Sequence, residues 1–172
     1  MEDGENAFRG SAVLRELCVE TPYAFVVENF KDRFAGSQDD LSLDVAAVDD
    51  KGAIVFTGGN QRCELLFELI TVSRQRGQFT LAVNSQPMDL EEATAISKAL
   101  CGVVGIDNTN LSKWYSSRGY DDAVDTTCLQ TGRVGKLDHS VEVRRSFESA
   151  KPWRVLYEVT FTDPRTSQAP TK

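Results

Sequence analysis

"QRCELLFELITVSRQRGQFTLAVNS", residues 61–85, is the stretch that decides how much sheet this protein contains. Read at a helical period, Leu65, Leu66, Leu69 and Ile70 share one face. Read at a strand period, Cys63, Leu65, Phe67 and Leu69 alternate just as well. Periodicity leaves both readings open over residues 61–72. The end of the stretch, "QFTLAVNS", alternates cleanly and predicts a strand.

Downstream lies the clearest helix, "DLEEATAISKALCGVVG". Asp89 has the side chain of an N-cap, and Glu91 and Glu92 sit in the first turn, where the helix dipole favours acids. Leu90, Ala93, Ile96, Ala99, Leu100 and Val103 make one apolar face, and Gly105 ends it. "NTNLSKWYSSRGYDD" is polar with two adjacent aromatics and reads as a loop. After a glycine-containing connection, "SVEVRRSF" and "WRVLYEVTF" read as two strands around a short link, 148–152. The tail beyond residue 162 reads as mobile.

Upstream, "YAFVVENFKDRF" places Phe25, Val26, Phe30 and Phe34 near one helical face. Thr21-Pro22 gives a start signal and Gly36-Ser37 an end. "LSLDVAAVDDKGAIVFTGG" reads as a hairpin: Leu43, Val45 and Ala47 alternate before a turn at Asp49 to Gly52, and Ala53 and Val55 alternate after it. Gly52 is expected to supply a positive φ there. "SAVLRELCVE" fits a helical turn or a strand. The order predicts an α+β fold, antiparallel β-hairpins packed with two main helices.

Composition bounds the function. The 172 residues are 41% hydrophobic and 26% charged, a globular mix with no apolar run long enough to span a membrane. The acidic start "MEDGENAFRG" does not resemble a signal peptide. Cys18, Cys63, Cys101 and Cys128 lack metal-site spacing and read as reduced, mostly buried thiols. No metal and no cofactor is expected. The net charge is −7, but residues 1–50 carry twelve acids against four bases, a net of −8. From Arg133 to Arg154 there are six bases and three acids, a net of +3. The chain as a whole repels nucleic acid at long range, while this segment need not.

Catalytic motifs are missing. His139, the single histidine, has no acid or nucleophile beside it and reads as structural or exposed. There is no HExxH, P-loop, GxGxxG or GxSxG pattern. The paired acids Asp49-Asp50, Glu91-Glu92 and Asp121-Asp122 are sequence neighbours, which strands point to opposite faces and helices set 100° apart. No enzyme is expected. Two basic-aromatic clusters remain: Lys113 with Trp114 and Tyr115, and Arg144, Arg145, Lys151 and Arg154 around Trp153. Guanidinium forks hold phosphate and rings stack on bases, so the nucleic-acid-binding candidates are Lys113, Arg144, Arg145, Lys151 and Arg154. The plainer alternative buries Trp153 and Tyr115 and leaves the charges in water.

The segment order adds a resemblance. From about Tyr23 to Phe161 the chain resembles the N-terminal domain and first linker domain of Argonaute/Piwi proteins. "DVAAVDDKGAIVFTGG" has the family's strand, aspartate-glycine-basic turn and strand, with Asp49, Lys51, Phe56 and Thr57 in matching places. "FELITV", "FTLAVNS" and "DLEEATAISKALCGVV" follow in order. "SKWYSS" resembles the aromatic loop without its glycine. "EVRRSFESAKPWRVLYEVTF" resembles the closing strand pair, with Phe147, Ser149, Lys151 and Pro152 matching. The family's tryptophan is Arg144 here, its glycine is Ser146, and one residue is missing between Phe147 and Ser149. The first strand of the N-terminal domain is not visible in the sequence.

The resemblance implies an N-terminal-like domain at 1–84, a linker-like domain at 85–162 and a tail at 163–172. It implies a non-catalytic RNA-silencing module in the cytoplasm, with the nucleus as a second location. Such a module supports loading of a small-RNA duplex and separation of its strands. It would bind small RNA weakly by itself and work with the remaining Argonaute domains or a protein partner, away from membranes. Trp153, Phe147 and Tyr115 would hold the hairpin together, and Phe56 and the 49–52 turn would be structural. A different class also fits: an acidic α+β protein-interaction subunit of an intracellular complex, with residues 1–50 as its charged face and no role for nucleic acid.

Overall fold

The computed structural model describes residues 13–34, 52–118, 127–145 and 153–164. Its elements, in chain order, are β1 (Val13–Cys18), α1 (Pro22–Phe34), β2 (Gly52–Gly58), β3 (Gln61–Gln75), β4 (Gln78–Ser85), α2 (Leu90–Val104), α3 (Thr109–Arg118), β5 (Thr127–Val134), β6 (Leu137–Arg145) and β7 (Trp153–Thr162). The fold is α+β, as expected. The strands do not form separate hairpins, however, but join one seven-stranded sheet in the order β1-β2-β3-β4-β7-β6-β5. Only β1–β2 is parallel, with α1 as the crossover.

The ambiguous stretch is a strand. β3 pairs with β2 on one side and β4 on the other. Its register slips between Phe67 and Leu69, a bulge that reverses the alternation. Cys63, Leu65 and Phe67 point into the core before it, and Ile70 and Val72 after it. That reversal places apolar residues at spacings a helix also shows, which is why both periods fit.

β2 has no free edge, because β1 and β3 take both. Of the hairpin expected over residues 41–59, the first arm and the 49–51 turn lie outside the described residues. Gly52 opens β2 and is not among the positive-φ glycines. "SAVLRELCVE" resolves as β1. The expected loop at 109–118 is instead α3, held by Leu111 and Trp114 at helical spacing, both buried. β5 was not foreseen. One sheet carries both halves of the chain: β4, which ends at the expected 84/85 boundary, has β7 from beyond it as its neighbour.

The sheet curls. Phe56 of β2 and Tyr157 of β7 are three ladders apart, about 14 Å in a flat sheet. Their ring centres lie 5.1 Å apart. The helices fill the concave face. Tyr23 of α1 meets Phe79 of β4, with ring centres at 5.9 Å. α2 lies against β2, β3, β6 and β7. Its ends follow the sequence reading: Asp89 accepts the Glu92 N–H at 2.8 Å, and Gly105, at φ 93°, donates its N–H to the Cys101 carbonyl. Its buried face is rotated from the expected one, since Thr94, Ser97 and Cys101 are inside while Ala99 is exposed. At Gly58, closing β2, a Cβ would stand 2.5 Å from the Val103 carbonyl oxygen, so glycine lets α2 approach the sheet. The convex face shows the alternate, polar positions, among them Thr80 and Thr160, whose hydroxyls are 3.3 Å apart.

Candidate nucleic-acid interface

β6 and β7 set Arg144 directly opposite Arg154, and Arg145 opposite Trp153. Side chains alternate along a strand, so the two adjacent arginines part company. Arg144 and Arg154 leave the convex face. Arg145 turns to the concave side, where its guanidinium carbon stands 5.6 Å from the centre of the Trp153 ring. Trp153 is buried and meets Trp114 of α3 edge-on, with ring centres 5.8 Å apart at 75°. Lys113, beside Trp114 on α3, is exposed. Lys151, with Phe147, lies outside the described residues.

The four described candidates therefore do not form one patch. Of the described arginines in the set Arg144 is the accessible one, its side chain 52% exposed, with a 3.0 Å ion pair to Glu142. Such a pair, screened by water, is weak enough for a phosphate to displace. Arg154 is held more tightly. It pairs with Glu68 of β3, and its Nη1 donates to the Ser85 carbonyl at 2.9 Å. The Ser85 hydroxyl in turn accepts the Val155 N–H. Arg154 thus fastens β7 to the middle of β3 and the end of β4. Of the expected hairpin supports, Trp153 packs in the core and Tyr115 does not, being 40% exposed. Glu142 was legible as the partner of Arg144, two residues away on one strand face. Glu68, distant in the chain, was not.

His139 is buried on the concave face, and its Nδ1 shares a 2.8 Å hydrogen bond with the Tyr157 hydroxyl. Burial holds the imidazole below its ordinary 6.5, with Asp138 opposing. Burial also raises the Tyr157 phenol, which stays protonated. The folded chain then takes up a proton at His139 less readily than the unfolded chain. His139 costs nothing above pH 6.5 and destabilises the fold as the pH drops below that value. The melting temperature of the wild type should fall between pH 7 and pH 5 more than that of His139→Gln. Parallel curves for the two would refute this. None of the four cysteines is in a disulfide; Cys63, Cys101 and Cys128 are buried and Cys18 is half-buried.

Among the described residues no group of three or more His, Cys, Asp or Glu is placed to hold a metal ion, and no helix is long and apolar enough to cross a membrane. Among the described residues, fold and site together define a single-sheet α+β protein with a paired arginine rung at the end of the β6–β7 ladder where β6 finishes and β7 begins. Comparison of the chain with protein-family models, curated proteins and solved structures finds no match.

Proposed function

We propose that the chain is a non-catalytic RNA-silencing module of the kind its sequence resembles, the N-terminal and first linker part of an Argonaute. It supports small-RNA duplex loading and strand separation in the cytoplasm, together with the remaining Argonaute domains or a protein partner. The observation that carries this reading is the Arg144–Arg154 rung with Arg145 stacked on Trp153 in the adjacent rung. Cations gathered at one end of one strand pair are the groups that meet a phosphate backbone, and the buried indole holds Arg145 in place.

Roles within the site differ. Arg144 and Lys113 are free to reach phosphate, Arg145 does so from its stacked position, and Arg154 mainly orders the hairpin. Lys151 belongs to the set on its place in the sequence, within the basic-aromatic cluster around Trp153. With about three phosphates neutralised, affinity should fall about 20- to 40-fold between 50 and 200 mM salt. The test is a titration of the chain against a fluorescent RNA duplex and its single strand at both salts. Arg144→Ala with Arg145→Ala should weaken binding and leave the chain folded. Absence of binding at the lower salt defeats the reading. The alternative, an acidic protein-interaction subunit, draws on a different region, the charged face of residues 1–50.

A further inference from the structure

β1 is one edge of the sheet. Among the described residues it pairs with β2 alone, and no described strand takes the backbone donors and acceptors on the other side of Val13–Cys18. A groove of about 500 Å³ runs along this edge between β1 and α1. Its strand wall is Arg15, Glu16 and Cys18. Its helix wall is Thr21, Ala24, Phe25, Glu28 and Asn29, one continuous face of α1 at spacings of three and four. Phe25 gives it an apolar floor, and Glu16 and Glu28 are exposed at its rim.

We infer that this groove takes an extended basic peptide, which adds as a strand to β1 and sets lysine or arginine side chains against Glu16 and Glu28. Strand addition beside a helix gives affinity through main-chain hydrogen bonds and selectivity through alternate side chains. Three observations favour this occupant. The rim is acidic, and it belongs to a half of the chain that carries a net −8 over residues 1–50. The one cation in the wall, Arg15, is already engaged by the Asn29 side-chain oxygen. Arg15 Nε is buried without a hydrogen-bond partner, a donor that a peptide carbonyl would satisfy. A second copy of the chain fits poorly. Antiparallel pairing of β1 with itself, centred on either charged residue, sets like charge on like, Arg15 on Arg15 or Glu16 on Glu16. The inference is independent of RNA binding at the β6–β7 hairpin.

The probe is a fluorescein-labelled eight-residue peptide of alternating Lys and Val, measured by anisotropy with the full chain. The same peptide N-methylated at alternate residues keeps the charge and loses the strand donors. The Lys/Val peptide should bind, the N-methylated one should not, and β1 amides should exchange more slowly in the complex. Glu16→Lys with Glu28→Lys should weaken binding about tenfold while leaving the RNA titration unchanged or stronger. Equal binding of both peptides would reduce the groove to diffuse charge attraction and overturn strand addition. No binding would overturn the inference outright. So would β1 amides already as protected in the free chain as those of β2, since the edge would then be filled.

Discussion

Asp163→Ala lowers the stability of this protein by about 3–5 kcal/mol, the cost of stranding a buried charge. Asp163 Oδ2 accepts from Arg74 Nε at 2.7 Å, and both side chains are 0% exposed. Arg74 is the largest fully buried side chain among the described residues. It sits near the end of β3, and Asp163 follows β7 directly, with its own N–H on the Gly77 carbonyl at 2.7 Å. The pair therefore locks the β3–β4 turn to the end of the last strand. For a chain of this length the loss corresponds to a melting temperature lower by about 6–20 °C. Arg74→Ala should cost less than Asp163→Ala if the cavity it opens admits water to the carboxylate. Arg74→Met with Asp163→Leu should recover most of the loss, because two apolar groups need no partner. Thermal melts of the three variants decide it. A single Asp163→Ala variant melting within about 2 °C of the wild type would mean that the carboxylate contributes little.

Trp153→Ala costs a similar amount, about 3–5 kcal/mol, through lost burial and the cavity left behind. Trp153 is 4% exposed and joins three things: Trp114 of α3, the guanidinium of Arg145, and Met88 ahead of α2, with which it exchanges two backbone hydrogen bonds. The backbone bonds survive the substitution, and the ring contacts do not. The chain has two tryptophans, and these two rings touch, so their exciton signal in circular dichroism should vanish in Trp153→Ala. Trp114→Phe should abolish the same signal at a smaller cost in stability. If Arg145 reaches phosphate from its place on Trp153, RNA affinity at low salt should drop in Trp153→Ala even below its melting temperature. It should persist in Trp153→Phe. Equal affinity in both would separate Arg145 from the ring.

Local chemistry was legible wherever its partners were also local. Asp89 and Gly105 mark the ends of α2 because capping is decided within four residues. β4, β6 and β7 were legible because each alternates strictly between a buried and a half-exposed face. β5 was not, since its inward positions are Cys128 and Gln130 while Leu129, 53% exposed, points out. Its polarity is inverted, and only pairing with β6 makes it a strand. α3 was missed because two buried side chains, Leu111 and Trp114, suffice when a tryptophan on β7 waits to receive one of them. The helix was taken for a loop on polar composition that is simply its exposed surface.

The same division runs through the candidate site. A strand period of two already implies that Arg144 and Arg145 face apart, that Arg144 and Glu142 share a side, and that the acids cluster in the first fifty residues. Those facts need only the sequence. Which arginine is free and which is an anchor is a tertiary matter, because Glu68 and Ser85 reach Arg154 from 86 and 69 residues away. The joining of the expected hairpins into one curled sheet, with β1 at the edge of its described strands, is decided there too. Hydrophobic period fixes the faces of an element. Its neighbours are chosen by backbone hydrogen bonds that carry no side-chain signature, and these only the folded chain reveals.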